Sequence, residues 1–400
     1  MRDDPPAELA ATLRHNSVPL LALGTFAIGS DVFAIAGILP LIAASLEVSV
    51  PAAAQINSAY ALAYALGSPL LAVLTAGWRK ERLIVLAIAG FAAADLLCAG
   101  ATSLAMLLWV RVLSGLCAAL YVPTAVTLAG ALAPAGQRGA RLSGVTLGTT
   151  TALVIGVPLS TWIGQHFGWS WSFLLSAGCA LGAMVALAAL RLPATALPPV
   201  PPLSARFKPL AQPRVALALL AQLFWSSCNY SIYHYSAVLL GGRIGLDRMP
   251  QLLLLAGLGT WVGVFAGGRL ADRFGAASLI VAIAGINALN IALLSITGGT
   301  VIGADFALFL FGIAGWAVIP AQQSRLLAEA PEHGGIAIAL LTSTVYVGSA
   351  IGAAWGGFVL DHAPAAALPP AASVGIVLGI LLFLRSEFVS RRQDRRGPTP

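Results

Sequence analysis

Residues 18–44 read VPLLALGTFAIGSDVFAIAGILPLIAA, a stretch that contains a single charged residue, Asp31. About 20 apolar residues suffice for a helix to cross the hydrocarbon core of a bilayer, which is about 30 Å thick. Lipid cannot solvate a charge, so a carboxylate kept inside a span usually has a functional task or a buried partner. The stretch therefore predicts a membrane-spanning helix with a candidate functional group near its middle.

The rest of the chain repeats this pattern. Its 400 residues are 58% hydrophobic and only 9% charged, and the mean hydropathy is +0.89, whereas a soluble chain carries about 25% charged residues. We therefore predict an all-α membrane protein with twelve transmembrane helices. The predicted spans are 18–44, 52–77, 83–101, 103–132, 140–165, 171–192, 214–240, 249–268, 276–297, 300–321, 335–360 and 367–384.

The basic residues indicate the orientation. With the N-terminus inside, all but three of the 22 Lys and Arg residues fall in inner loops and tails: Arg243 and Arg248 lie outside and Arg111 lies within a span. Positive charge accumulates on the cytoplasmic side, so we expect a multi-pass protein of the cell (inner) membrane with both termini cytoplasmic. Bases spread over short loops do not indicate nucleic-acid binding.

A proline-rich segment divides the chain in two. Residues 193–213 contain seven prolines, which predicts an extended cytoplasmic linker between two halves of six spans each. The predicted units are a cytoplasmic N-terminal tail, the N-terminal half, the linker, the C-terminal half and a basic cytoplasmic tail, at 1–17, 18–192, 193–213, 214–385 and 386–400.

Small residues recur every four positions on every third span, as in Gly148–Gly164, Gly259–Gly267 and Gly348–Gly356, and more weakly in Ala59–Gly67. Such strips let helices approach closely in lipid. Their spacing indicates inverted three-helix repeats within each half, with the glycine-rich helices forming the contact between the halves. Because the chain is rich in Ala and Gly throughout, general close packing is the alternative reading.

The loop after the eighth span reads GRLADRFG, residues 268–275. Gly268 and Gly275 suit a tight turn because glycine tolerates positive φ. Asp272 can accept hydrogen bonds from a helix N-terminus or pair with an arginine, and Arg273 is basic on the inner side. This string resembles the loop motif of the major facilitator superfamily.

The equivalent loop of the first half departs from that motif. It follows Gly67 and keeps the basic Arg79 and Arg82, but it lacks the Asp–Arg pair, with Glu81 as a candidate substitute. Other strings are similar to the superfamily too: RVLSG from Arg111, and Gly156-Val157-Pro158 in the fifth span, which resembles an antiporter motif.

The first span, with GSDVF around Asp31, is similar to that of the twelve-span drug:proton antiporters, which include sugar, purine and chloramphenicol efflux branches. The resemblance implies the major facilitator fold and proton-coupled efflux. It also implies conformational roles for the motif residues Gly67, Arg79, Arg82, Gly156, Pro158, Gly268, Asp272, Arg273 and Gly275.

Three charges lie deep in the predicted spans: Asp31, Asp95 and Arg111. From a rise of about 1.5 Å per residue, each lies roughly 18–20 Å from the inner face, so all three share one level. We predict that they form a proton-coupling site, with Asp31 facing the central cavity and titrating, and with Asp95 as the static partner of Arg111. A permanent Asp31–Arg111 clamp without a proton role is the alternative.

Polar faces mark a candidate substrate site. The seventh span is the most polar, and the second and eleventh also carry polar aromatic faces. Such faces suit a neutral or cationic organic molecule held by stacking and hydrogen bonds, although interhelical hydrogen bonding is the alternative reading. The predicted substrate-binding residues are Asn57, Tyr60, Tyr64, Gln222, Trp225, Asn229, Tyr233, His234, Thr342 and Tyr346.

We therefore predict a monomeric, proton-coupled efflux transporter of a small organic molecule, with protons, substrate and the lipid bilayer as partners. A proton-independent facilitator or an uptake symporter of the same fold is the main alternative. An intramembrane enzyme or receptor is the remote one, since the sequence offers no nucleophile–base set. No cofactor or metal is expected, and no Gly-Lys phosphate loop for ATP occurs in the sequence.

Overall fold

The computed structural model describes residues 7–134, 136–190, 192, 203–329 and 334–396. The described residues are almost entirely helical and include no β-strand. The α-helices are α1 Ala7–Ser45, α2 Val50–Leu74, α3 Lys80–Ala99, α4 Leu104–Ala131, α5 Arg138–Thr151, α6 Val157–Phe167, α7 Trp169–Leu190, α8 Pro213–His234, α9 Ser236–Ile244, α10 Met249–Phe274, α11 Ala276–Thr297, α12 Val301–Glu329, α13 Gly334–His362 and α14 Leu368–Arg396.

These helices form 12 stretches long and apolar enough to cross a membrane, which confirms the predicted number of spans. The fifth is α5 and α6 joined by the π-helix Ala152–Gly156, and the seventh is α8 followed by α9. Both chain ends are more helical than expected: α1 begins at Ala7 and α14 continues to Arg396. Residues rich in Ala, Leu, Glu and Arg favour helix beyond the bilayer.

The linker is outside the described residues from 193 to 202. Its remainder is not extended as expected, because Leu203–Ala211 forms a 3-10 helix. An even number of spans separates this linker from each terminus. The termini and the linker therefore share one side of the molecule, here named the terminal face; the opposite side is named the far face.

Each half pairs its spans in the same way. In the first half α1 packs on the fifth span and α2 on α4; in the second, α8 packs on α13 and α10 on α12. If the first three spans of a half correspond to its last three, span 1 corresponds to span 4 and span 2 to span 5. The pair of spans 1 and 5 then corresponds to the pair of spans 4 and 2. This is the pairing that inverted three-helix repeats produce.

The glycine-rich spans form the contact between the halves, as expected, but their small-residue strips face partners within each half. A Cβ at Gly263 would overlap the backbone of Ile313 in α12, and one at Gly352 would overlap the backbone of α8. Glycine is therefore needed for the closest helix pairs inside each half. The halves contact each other through other faces of the same helices, α2 against α13 and α10 against the π-helix and α6.

The contact between the halves is concentrated away from the terminal face. Near the far face Gln165 donates to the Leu246 carbonyl at 2.6 Å, and midway along the helices Ser58 donates to the Ala350 carbonyl at 3.0 Å. By contrast, α5, the terminal-face part of the fifth span, makes little contact with α10. The described part of the molecule is thus closed at the far face.

Candidate functional site: a central cavity beside a buried ion pair

A cavity lies between the halves, with about 670 Å³ of empty space, part of it open to solvent. Most of its wall comes from α8, α10 and α12, while α1 contributes Phe33 and the π-helix contributes Leu153. Six of the 18 described lining residues are aromatic, and none of the 18 is charged. The aromatic lining residues are Phe33, Trp225, Tyr230, Tyr233, Phe311 and Trp316.

Two polar groups of this cavity lack a partner. Gln222 donates to the Ser226 hydroxyl at 2.9 Å, which leaves its Oε1 without a hydrogen bond. The Trp225 Nε1 likewise has no acceptor. A buried polar atom without a partner is costly unless water or a ligand satisfies it. Both atoms are buried and belong to residues of the cavity wall, which makes them one candidate acceptor and one candidate donor for a bound molecule.

A second polar contact fixes the neighbouring asparagine. Asn229 donates to the Trp225 carbonyl at 2.9 Å and accepts from Asn287 of α11 at 2.7 Å. Its amide is thus already engaged, and the Asn287 carbonyl oxygen is left without a partner.

Four of the predicted substrate-binding residues line the cavity: Gln222, Trp225, Asn229 and Tyr233. The other six do not line it: Asn57, Tyr60, Tyr64, His234, Thr342 and Tyr346. Sequence reasoning missed Phe33, Tyr230, Phe311, Trp316 and Thr260. Only Tyr230, beside the polar face of the seventh span, carried a usable signal, because single aromatic residues in apolar helices look like ordinary packing.

Most of the other six residues tie helices together. His234 lies between Asn57 of α2, at 3.2 Å from its Nδ1, and Ser349 of α13, at 3.1 Å from its Nε2. Tyr64 stacks on Tyr346 across the halves with ring centroids 3.8 Å apart. These contacts hold α2, α8 and α13 together, which is the interhelical alternative noted for such faces. Thr342 is exposed and donates to its own helix.

Asp31 and Arg111 form a fully buried ion pair in the N-terminal half. The Arg111 Nη1 donates to Asp31 Oδ2 at 2.5 Å, and both side chains are 0% exposed. The guanidinium lies over the Tyr60 ring, 4.5 Å from its centroid, in a cation–π contact. Asp31 of α1 and Arg111 of α4 therefore lie together, as expected from their shared level. Asp31 points to Arg111, however, and does not face the cavity.

Asp95 is enclosed beside this pair. Its residue exposure is 0%, and neither carboxyl oxygen has a hydrogen bond within the part of the chain that the structure describes. It is close enough to Asp31 and Arg111 to interact with both electrostatically. The expected Asp95–Arg111 pairing is wrong for this conformation, because Asp31 is the partner of Arg111.

Helix α1 connects the ion pair to the cavity. Asp31 and Phe33 are two residues apart and so project from opposite sides of the helix. Phe33 packs edge-on against Tyr233 and Trp316, with ring centroids 5.8 and 5.9 Å apart. Tyr233 also donates to the Phe33 carbonyl at 3.0 Å. A shift of α1 would therefore change the contacts of both the ion pair and the cavity wall.

The fifth span packs against the same part of α1. A Cβ at Gly156 would overlap the Ser30 side chain, one residue before Asp31. Pro158 follows the π-helix and lacks an N–H, so the regular hydrogen-bond ladder cannot continue there. The Gly156-Val157-Pro158 string thus coincides with a local break in helical geometry and a close helix approach.

The two motif loops at the terminal face differ in their local contacts. Gly275 has φ +84°, the left-handed conformation expected for the turn, and Gly268 lies within α10. Asp272 and Arg273 are exposed. In the first half Arg79 lies 3.6 Å from Glu81, which agrees with Glu81 as the local acidic substitute.

Near the terminal face of the C-terminal half, Arg325 anchors a network that sequence reasoning missed. It contacts Glu329 at 2.8 Å and Glu387 of α14 at 2.6 Å, and it donates to Ser386 at 2.9 Å. Ser386 donates in turn to a carbonyl of α8. The network joins α8, α12 and α14.

A family model with the description "Major Facilitator Superfamily" matches residues 21–353. The chain belongs to the Major Facilitator Superfamily. It is 30% identical to the inner membrane transport protein YdhP of Escherichia coli (strain K12), over 94% of this chain and 96% of that protein. It is 31% identical to a chloramphenicol resistance protein of Streptomyces lividans, over 92% and 95%.

Solved structures of major facilitator transporters share its fold. A bacterial homologue of the human lysosomal transporter Spinster, in an inward-facing and occupied conformation, superposes with a TM-score of 0.74 at 18% identity, covering 94% of this chain and 97% of that one. The nucleoside transporter NupG, solved as a point mutant, gives 0.72 at 12% identity, covering 94% and 99%. The chain is thus a multi-pass major facilitator transporter with twelve membrane-spanning helices.

Proposed function

We propose that this transporter exports a small, neutral organic molecule in exchange for protons. The observation that carries the proposal is the placement of two sites on one helix: the uncharged aromatic cavity on the Phe33 side of α1 and the buried ion pair on the Asp31 side. Proton-coupled alternating access needs a titratable site mechanically connected to a substrate site.

The cavity wall favours a neutral cargo. None of the described lining residues is charged, so an ionic substrate would have to leave water without a counter-charge, which is strongly unfavourable. A flat or amphipathic molecule fits better, stacked against aromatic rings and bonded to Gln222 Oε1 and Trp225 Nε1. The relative named as a chloramphenicol resistance protein supports export as the direction.

Asp31, Arg111 and Asp95 form the proposed proton-coupling site. Charge buried in a membrane span is seldom retained without a task. We further propose a monomer in the cell (inner) membrane with both termini cytoplasmic, because the basic residues concentrate at the terminal face. The closed far face then makes this conformation inward-facing.

Inside-out vesicles test the coupling. A thermal-shift screen of the purified protein against sugars, nucleobases, amino acids and antibiotics first selects the probe, because a bound ligand stabilises the fold. For a selected radiolabelled probe such as chloramphenicol, we expect accumulation when the vesicle lumen is acidified and none after a proton ionophore. Asp31→Asn, matched for protein level, should lose this accumulation.

The other transport modes give different results in the same vesicles. Equilibration at the same rate with or without the gradient indicates a facilitator, and accumulation only when the outside is acidified indicates a symporter. Exchange of a neutral molecule for a proton also moves positive charge out of the lumen. A lumen-positive potential should therefore speed accumulation and a lumen-negative one should slow it, whereas a rate independent of the potential would contradict the exchange of a neutral cargo for a proton.

A further inference from the structure

The N-terminal half encloses more acid than base. Two carboxyl groups, from Asp31 and Asp95, share one guanidinium, that of Arg111, and all three residues are at most 3% exposed. The titratable or charged groups around this site are Asp31 on α1, Tyr60 on α2, Asp95 and Cys98 on α3, and Arg111 and Cys117 on α4. One positive charge can balance only one carboxylate, so the other must be neutral or uncompensated.

The hydrogen bonds distinguish the two carboxyl groups. Asp31 accepts from Arg111, and a hydrogen bond from a guanidinium favours the carboxylate form. Among the described residues, neither Asp95 oxygen has a hydrogen bond: the Ser114 hydroxyl is close enough to interact with Asp95, but it donates to the Val110 carbonyl at 3.3 Å. An ionised carboxylate without any donor in such a site is strongly disfavoured.

Arg111 has unused donors on the same site. Its Nη1 is bonded to Asp31, but its Nε and Nη2 have no hydrogen-bond partner. Arginine presents five N–H donors, enough to bind two carboxylates. The unpartnered donors of Arg111 and the unpartnered oxygens of Asp95 are within electrostatic range of each other.

We infer that Asp95 carries the coupled proton in this conformation and that Arg111 is the partner it recruits when the proton leaves. When the site opens to water, the neutral Asp95 acid transfers its proton to that water, and the resulting carboxylate accepts hydrogen bonds from the free N–H groups of Arg111. The hold of Arg111 on Asp31 then weakens, which releases α1 and with it Phe33 in the cavity wall. This inference rests on the proposed proton coupling and assigns its proton to a residue of the third span.

Infrared spectroscopy of the purified, substrate-free protein in lipid tests the assignment, because a protonated carboxyl group has a carbonyl stretch separate from that of a carboxylate. The wild type should show this band, Asp95→Asn should lose it, and the exposed-site control Asp361→Asn should keep it. A band of wild-type amplitude in Asp95→Asn, or no such band in the wild type, would overturn the assignment. Asp95→Glu retains an acid and should keep the band at a shifted frequency. If it does, the loss of the band in Asp95→Asn results from removal of the acid and not from misfolding.

Asp31→Asn tests the exchange of partners. With Asp31 neutral, Arg111 needs Asp95 as its counter-charge, so the band should fall to less than about half its wild-type amplitude, since a paired carboxylate is favoured over the acid. An unchanged band would show that Arg111 does not recruit Asp95. No substrate or gradient enters these measurements. A wild type that fails to transport in vesicles therefore counts against the proposed function alone.

Discussion

Arg111→Met, made alone and together with Asp31→Leu, separates the contribution of the buried ion pair to stability from its contribution to transport. Both charged side chains are 0% exposed and meet at 2.5 Å. Removing one member of such a pair leaves the other charge uncompensated, which costs about 3–5 kcal/mol. We expect Arg111→Met to lower the free energy of unfolding by about that amount. The loss includes the cation–π contact with Tyr60, which the substitution also removes.

The double variant should recover most of this loss. Apolar side chains of similar volume can replace a buried ion pair at almost no cost, so the double variant should lie within about 1 kcal/mol of the wild type. Transport driven by a proton gradient should nevertheless be lost. The free energy of unfolding is measured by SDS titration in mixed micelles, followed by the fluorescence of the nine tryptophans.

Two results would refute this reasoning. Asp31→Leu alone completes the comparison: if its loss and that of Arg111→Met simply add in the double variant, the two residues do not interact in the folded protein. If Arg111→Met costs less than about 1 kcal/mol, the side chain is not buried as a charge. Arg269→Met is the matched control, because this arginine is exposed and its replacement should change stability by no more than about 0.5 kcal/mol.

Three further outcomes follow from the packing. Gly263→Leu should lower the free energy of unfolding by about 1–3 kcal/mol or prevent folding, because the added Cβ would meet the backbone of α12. Gly268→Leu is the control: it has open space around it and should behave as the wild type in fluorescence-detected gel filtration. Tyr233→Phe removes the 3.0 Å hydrogen bond to α1 and should cost about 0.5–1.5 kcal/mol in SDS titration. Trp225→Phe keeps an aromatic wall without the unpartnered donor and should raise the dissociation constant of the selected probe about three- to tenfold in thermal-shift titration; an unchanged constant would exclude Trp225 Nε1 from recognition.

The arrangement of spans could be predicted from the sequence because the bilayer imposes it. A span must be apolar and about 20 residues long, and its charges must find partners; these two constraints already indicated the spans and the level shared by Asp31, Asp95 and Arg111. The choice between the two aspartates could not be predicted. It depends on side-chain directions across three helices, and depth along a helix carries no such information.

The cavity lining shows the same limit. The polar spacing of the seventh span identified Gln222 and Trp225, because polar residues in lipid-exposed helices are unfavourable and so signal an interior face. The same argument failed for His234 and Tyr346, whose side chains are used for contacts between helices. Phe33 gave no signal at all, since an aromatic residue in an apolar helix is consistent with packing, lipid contact or substrate contact alike.

The separation of the two sites also constrains how substrate and proton can exchange. None of the three buried ionic residues lines the cavity, so proton and substrate do not compete for the same atoms. Coupling must instead pass through a moving element with two arrangements. Helix α1 is the element that both sites contact, through Asp31 on one side and Phe33 on the other. On this reasoning a low pH should weaken binding of the selected probe only down to a limiting affinity, because protonation acts by changing the position of α1. Direct competition between proton and substrate would instead weaken binding without limit. Thermal-shift titration over a series of pH values distinguishes the two.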